Sequence, residues 1–149
     1  MATRRLLILQ ELLARVQQIT VANGFVTDAG ATVFMGEVLS LGESDPDVVL
    51  ALVVADDFVR SQQVTVALTL QVEIQALARA ELAQPWVIVE AVLGDIKRAI
   101  ELEDRTLGGL VRQQVLRGVT RTLPREPGTP TVGVGVTYLL PYVEEWGTP

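Results

Sequence analysis

Three groups of carboxylates are the residues best able to do chemistry: Glu43, Asp45 and Asp47; Asp56 with Asp57; and Glu101, Glu103 and Asp104. Oxygen-rich loops hold Ca²⁺ or Mg²⁺ when enough ligands fall in a fixed register with glycine at the tight turn. No group here keeps such a register. Glu43, Asp45 and Asp47 therefore stand only as weak divalent-cation candidates in an otherwise solvated loop, and no cofactor is expected.

Other catalytic chemistry has little to draw on. The chain contains neither histidine nor cysteine, which removes the commonest general base near neutral pH, the commonest transition-metal ligands and the thiolate nucleophile. Ser40, Ser44 and Ser61 are the only serines, and none sits in a Gly-x-Ser-x-Gly elbow. Gly133-Val134-Gly135 has the glycine content of a phosphate loop, but strict alternation within a strand is the wrong context for a dinucleotide fingerprint. Those glycines are better read as letting another backbone or a helix approach closely. No catalytic residue is assigned. A carboxylate-only enzyme is the weakest functional reading, because nothing selects one pair of acids over another.

The remaining polar groupings suit contact between molecules. Arg112, Arg117, Arg121 and Arg125 form a basic stretch in a chain of net charge −6. They read as a solvated strand with its loops, or as salt bridges to a neighbouring copy, for which the planar guanidinium is well shaped. Nucleic-acid binding ranks third, since no aromatic residue lies among them to stack on a base. Thr69, Gln71, Glu73 and Gln75 line one face of a long strand, either solvated or meeting another copy. Trp86 and Trp146 suit core or interface anchors.

The elements that must position these residues follow from periodicity. Leu6, Leu9, Leu12, Leu13, Val16 and Ile19 predict an amphipathic helix over 4–20, stopped near Asn23-Gly24. Residues 31–39 form a strand candidate, and 41–47 a loop. Val48 to Ala55 is an unbroken apolar run, as in a strand covered on both faces. From Val64 to Gln75 apolar and polar residues alternate strictly, a strand long enough to bend or project as a hairpin. Residues 85–103 predict a second helix, with Pro85 in its first turn and Val89, Val92, Leu93, Ile96 and Ile100 opposite Glu90, Asp95, Lys97 and Glu101. Gly118 to Leu123 is strand-like, a turn spans Pro124 to Pro130, and Val132 to Tyr142 is the last strand, with Pro141 favouring an edge or strand end. Such an order predicts an α+β fold, a mostly antiparallel sheet with two main helices packed on it and one long β-hairpin or extended strand, in a single domain over 1–149.

Of 149 residues, 49% are apolar, enough for one core. No apolar run approaches the roughly 18 residues of a membrane span, and the opening residues read as neither signal nor anchor. The acidic balance argues against a broad phosphate-gripping face.

The opening helix Arg4-Arg5-Leu6-Leu7-Ile8-Leu9, the run Ile19 to Gly30, Val33-Phe34-Met35-Gly36-Glu37 and the ending from Thr137-Tyr138 through Trp146-Gly147 together resemble the tail terminator (tail completion) proteins of long-tailed phages, the group that includes the lambda-type tail terminator. The resemblance spans nearly the whole chain. It implies a virion protein, made in the host cytoplasm, that forms a six-membered ring capping the tail tube, ends its polymerisation and offers a surface to the head connector. The implied partners are other copies of the chain, the tube protein, the connector protein and DNA passing through the lumen without specific binding. Divalent-cation-dependent assembly, implied for some members, would draw interest to Glu43, Asp45 and Asp47. A tail tube or head-tail connector subunit is the alternative within the same structural class.

Overall fold

A computed structural model of the chain describes residues 2–38, 40–124 and 130–149. Helix α1 spans Arg4–Gln17, its first turn capped by Thr3, whose hydroxyl accepts from the Leu6 amide at 3.1 Å. Ile8, Leu12 and Val16 form its buried stripe, and Ile19 just beyond is also fully buried. Single 3-10 turns at Val21–Asn23 and Ala29–Ala31 lead to β1, Val33–Met35. The strand predicted over 31–39 is thus only three residues long. Its start is taken by the second 3-10 turn, and Gly36 at φ 112° ends it in a conformation that favours glycine.

The body of the molecule is three strands of 15 residues each: β2 (Val48–Gln62), β3 (Thr65–Arg79) and β5 (Thr131–Glu145). Helix α2 (Pro85–Glu101) and the short β4 (Leu116–Thr122) complete the fold. The sheet order is β1-β2-β3-β5-β4, with every pairing antiparallel except β1 with β2. This is the α+β architecture expected, with the long hairpin formed by β2 and β3.

Alternation in β3 decides the layering. Val66, Leu68, Leu70, Val72, Ile74, Ala76 and Ala78 point to the helices, where they meet Val134, Val136, Tyr138, Leu140 and Tyr142 of β5 and the stripe Val89, Val92, Leu93, Ile96 and Ile100 of α2. Among the described residues the opposite face of the sheet carries no helix. At one end it holds a small apolar cluster, Val49, Ala51 and Leu77, covered by Phe34, Val38, Leu41 and Leu123. The first half of β2 is therefore covered on both faces, as its unbroken apolar run requires, while its second half is not.

Two expectations for the polar stripe of α2 are corrected. Asp95 is 3% exposed and accepts hydrogen bonds from the Val26 amide (3.1 Å), the Thr27 amide (2.9 Å) and the Thr27 hydroxyl (2.7 Å). Glu101 is half-buried and accepts from the Tyr138 hydroxyl at 2.6 Å. Both acids tie α2 to neighbouring structure. Pro141 is placed in an interior strand rather than an edge, but beyond the last residue of β5 that β4 reaches, Leu139. Its carbonyl turns to the same side and accepts from the Arg112 amide at 2.7 Å, so the missing proline N–H breaks no ladder bond.

Candidate assembly surfaces

Of the sequence-selected polar residues, Glu73, Gln75 and Arg121 meet on the helix-free face. Glu73 lies under Arg121, which reaches across from β4 and donates from Nε (2.7 Å) and Nη2 (2.8 Å) to its two carboxylate oxygens. Gln75 donates to the same carboxylate at 2.7 Å. Burial alone would raise the proton affinity of Glu73, but the hydrogen bonds and charge of Arg121 with the Gln75 bond outweigh it and hold the carboxyl below the ordinary glutamate range. Gly135 makes the arrangement possible, because a Cβ there would lie 2.8 Å from Glu73 Cδ. Gly133 does the same for Leu123 and Leu77, whose methyls would stand 2.7 and 2.8 Å from a Cβ. The close approach read from the alternating glycines is thus made by side chains within the fold.

The face expected to be flatly polar is consequently a set of satisfied, mostly buried groups. Thr69, Glu73 and Gln75 are each under 8% exposed, with the Thr69 hydroxyl accepting from Arg60 Nε at 3.2 Å, while Gln71 is half-buried. Arg117, on the helix side of β4, pairs with Glu101 at 3.3 Å. Arg112 is exposed in the loop before β4, and Arg125 lies outside the described residues. Two of the arginines therefore clamp β4, one on each face of the sheet, although all seven of its residues are exposed.

The acidic loop is tethered rather than convergent. Arg79 pairs with Asp47 at 3.1 Å and donates to the carbonyls of Gly42 and Asp45. Asp45 accepts from the Gly42 amide at 2.6 Å, and Glu43 is exposed at the loop tip. Among the described residues no three acids come together as a metal-holding group. Two of the hollows, both open, are about 290 Å³ beside Glu37, Gln75 and Arg121, and about 500 Å³ beside Arg15, Phe25 and Arg98.

The far end of the sheet is different in character. From Phe58 through Val64 every residue is exposed, with Phe58 at 44%, Val59 at 49% and Val64 at 89%. Trp146 stands beside this tip, 58% exposed, its indole N–H donating to the Gln63 carbonyl at 2.8 Å. Trp86 is 65% exposed at the start of α2, so neither tryptophan is core. The long strand from Val64 is legible in sequence as able to project as a hairpin, whereas Phe58 and Val59, the exposed apolar pair before the turn, are not singled out there. Asp57 anchors its base, accepting from the Tyr142 hydroxyl and lying 3.9 Å from Arg5 at the start of α1. Burial first, and then the Asp57 bond, push the Tyr142 phenol well above its usual range.

Among the described residues no helix is long and apolar enough to cross a membrane. No protein-family model and no curated protein matches the chain.

Proposed function

We propose that this chain is a ring-forming structural subunit of the phage tail terminator kind, which caps a finished tube and presents a surface to a connector. The observation that carries the reading is the exposed hairpin tip: Phe58, Val59, Val64 and Trp146 stand in solvent at the end of three 15-residue strands. Large apolar and aromatic side chains clustered at a surface are the composition of protein contact sites, where aromatic anchors supply most of the binding energy. The resemblance noted from sequence supplies the particular assembly. The expected long hairpin and the helix-covered sheet accord with that reading.

A tube subunit is the second reading, favoured by the same tip, and assembly behaviour separates the two. A terminator stops at one ring or a pair, whereas a tube subunit stacks without limit. Light scattering behind a sizing column, with Mg²⁺ and with a chelator, tests this. A discrete species near six chain masses is expected. Open-ended polymers would transfer the assignment to a tube subunit, and a single-chain mass at every concentration would overturn it.

A further inference from the structure

We propose that copies of the chain join edge to edge, the second half of β2 in one copy pairing antiparallel with β4 of the next, so that one sheet continues around the assembly. The proposal rests on the ring reading above and gives that ring its interface.

Among the described residues both edges are open. β1 covers β2 only along Leu50–Leu52, leaving Val53 to Gln62 without a strand partner on that side among the described residues. β4 pairs with β5 on one side and ends the sheet on the other. Rows of unpaired amides and carbonyls are templates for another strand. Bulges interrupt both edges, in β2 after Val54 and Val59 and in β4 after Arg117, which favours one matched register over indiscriminate pairing.

The directions agree. β2 and β5 run one way, β3 and β4 the other, so β4 of a neighbour in the same orientation arrives antiparallel to β2 with its helices on the same face. Such a contact is heterologous and closes into a ring when its rotation permits. The edges match in their apolar residues: free β2 carries exposed Phe58 and Val59, and β4 carries Leu116 and Val119, 47% and 66% exposed, while Asp57, Arg117 and Arg121 are engaged within their own copy. The two clamping ion pairs of β4 hold that strand in the sheet, ready to be added to.

The offset between the edges points to closure. β4 lies level with Val134–Leu139 of β5, whereas the free half of β2 lies level, through β3, with Thr137–Glu144. The displacement is about four residues, or roughly 13 Å per copy at about 3.3 Å per residue. Spread over β2, β3, β5 and β4, the four strands each copy contributes beyond the reach of β1, spaced about 4.8 Å apart, it tilts the strands by about 35°, at the lower bound of the roughly 35–45° of closed barrels. This tilt does not depend on the number of copies.

The cysteine-free background allows a direct test. Val119→Cys is combined in turn with Asp57→Cys, Phe58→Cys and Val59→Cys, covering a one-residue slip either way of the register the offset gives. Each double variant is oxidised and run without reductant beside its single variants, with light scattering and far-UV circular dichroism on every sample. Hydrogen exchange of the unmodified chain above and below its assembly concentration gives a readout that needs no variant. A covalent ladder rising to the ring size from a double variant, none beyond dimer from the single variants, and concentration-dependent protection of 53–62 and 116–122 are expected. A discrete oligomer without ladder or protection would overturn the edge pairing and leave the ring standing. A single-chain mass without cross-links would overturn both.

Discussion

Glu73 and Arg121 show how much a single residue pair organises here. Glu73 has a side chain only 10% exposed, and its partner, 46% exposed, must cross the glycine gap of β5 to reach it. Glu73→Gln should cost about 1–2 kcal/mol in chemical unfolding, less than a fully buried pair would, because half of the Arg121 side chain stays in water. The folded-state carboxyl is held below its unfolded value, so its stabilisation is present above the ordinary glutamate range near about 4.3 and is lost as pH falls through the depressed value. Wild type and Glu73→Gln should therefore differ at pH 6 and converge in strong acid. Equal stabilities throughout would remove the pair from the account. Gly133→Ala should destabilise by about 1–3 kcal/mol, since its Cβ would also meet the Ala76 carbonyl oxygen at 2.9 Å, which cannot turn aside as a side chain can.

At the scale of elements, two side chains join pieces distant in sequence. Arg15 of α1 donates to the carbonyls of Ile100 (3.4 Å), Glu103 (2.8 Å) and Asp104 (2.8 Å), satisfying orphan acceptors at and beyond the end of α2. Arg15→Met, which keeps the apolar stem, should lower stability by about 1–3 kcal/mol and expose the last turn of α2 to hydrogen exchange first. Asp95→Ala should cost about 2–4 kcal/mol, because two backbone amides and a hydroxyl lose a charged acceptor together. Protection lost evenly across the sheet instead of at 26–27 would contradict that role.

These contacts also mark what sequence could yield. The apolar stripes of both helices and the alternation in β3 and β5 were legible because one period sets one buried face. Asp95 and Glu101 were not, since periodicity assigns a polar residue to water and cannot see a distant loop or tyrosine that will meet it. Bulges defeated the reading of β2 beyond Ala55. Each adds a residue to the strand, so alternation loses phase at Val54–Asp57 and again at Val59–Ser61. Of the candidate interface residues, the basic stretch was legible as composition; its division between Glu73 and Glu101 depended on the register of β4 against β5.

For the whole molecule, helices cover one sheet face near its middle, polar pairs are satisfied on the other, and apolar side chains are left at the tip. At about 1.5 Å per residue, the 17-residue α2 spans roughly 25 Å, about half the length of the 15-residue strands beside it, so the sheet outruns its helix. Val64→Asp with Trp146→Ser should leave thermal unfolding of the isolated chain within about 1 kcal/mol of wild type while weakening assembly at least tenfold by sedimentation. Loss of the fold in that variant would make the tip part of the core instead.

Ring closure is the central claim, and electron microscopy of the purified protein above its assembly concentration tests it most directly. Closed annular particles of one diameter, with a central opening and a fixed number of equal units, are the predicted result; isolated single copies or open filaments of indefinite length would contradict it.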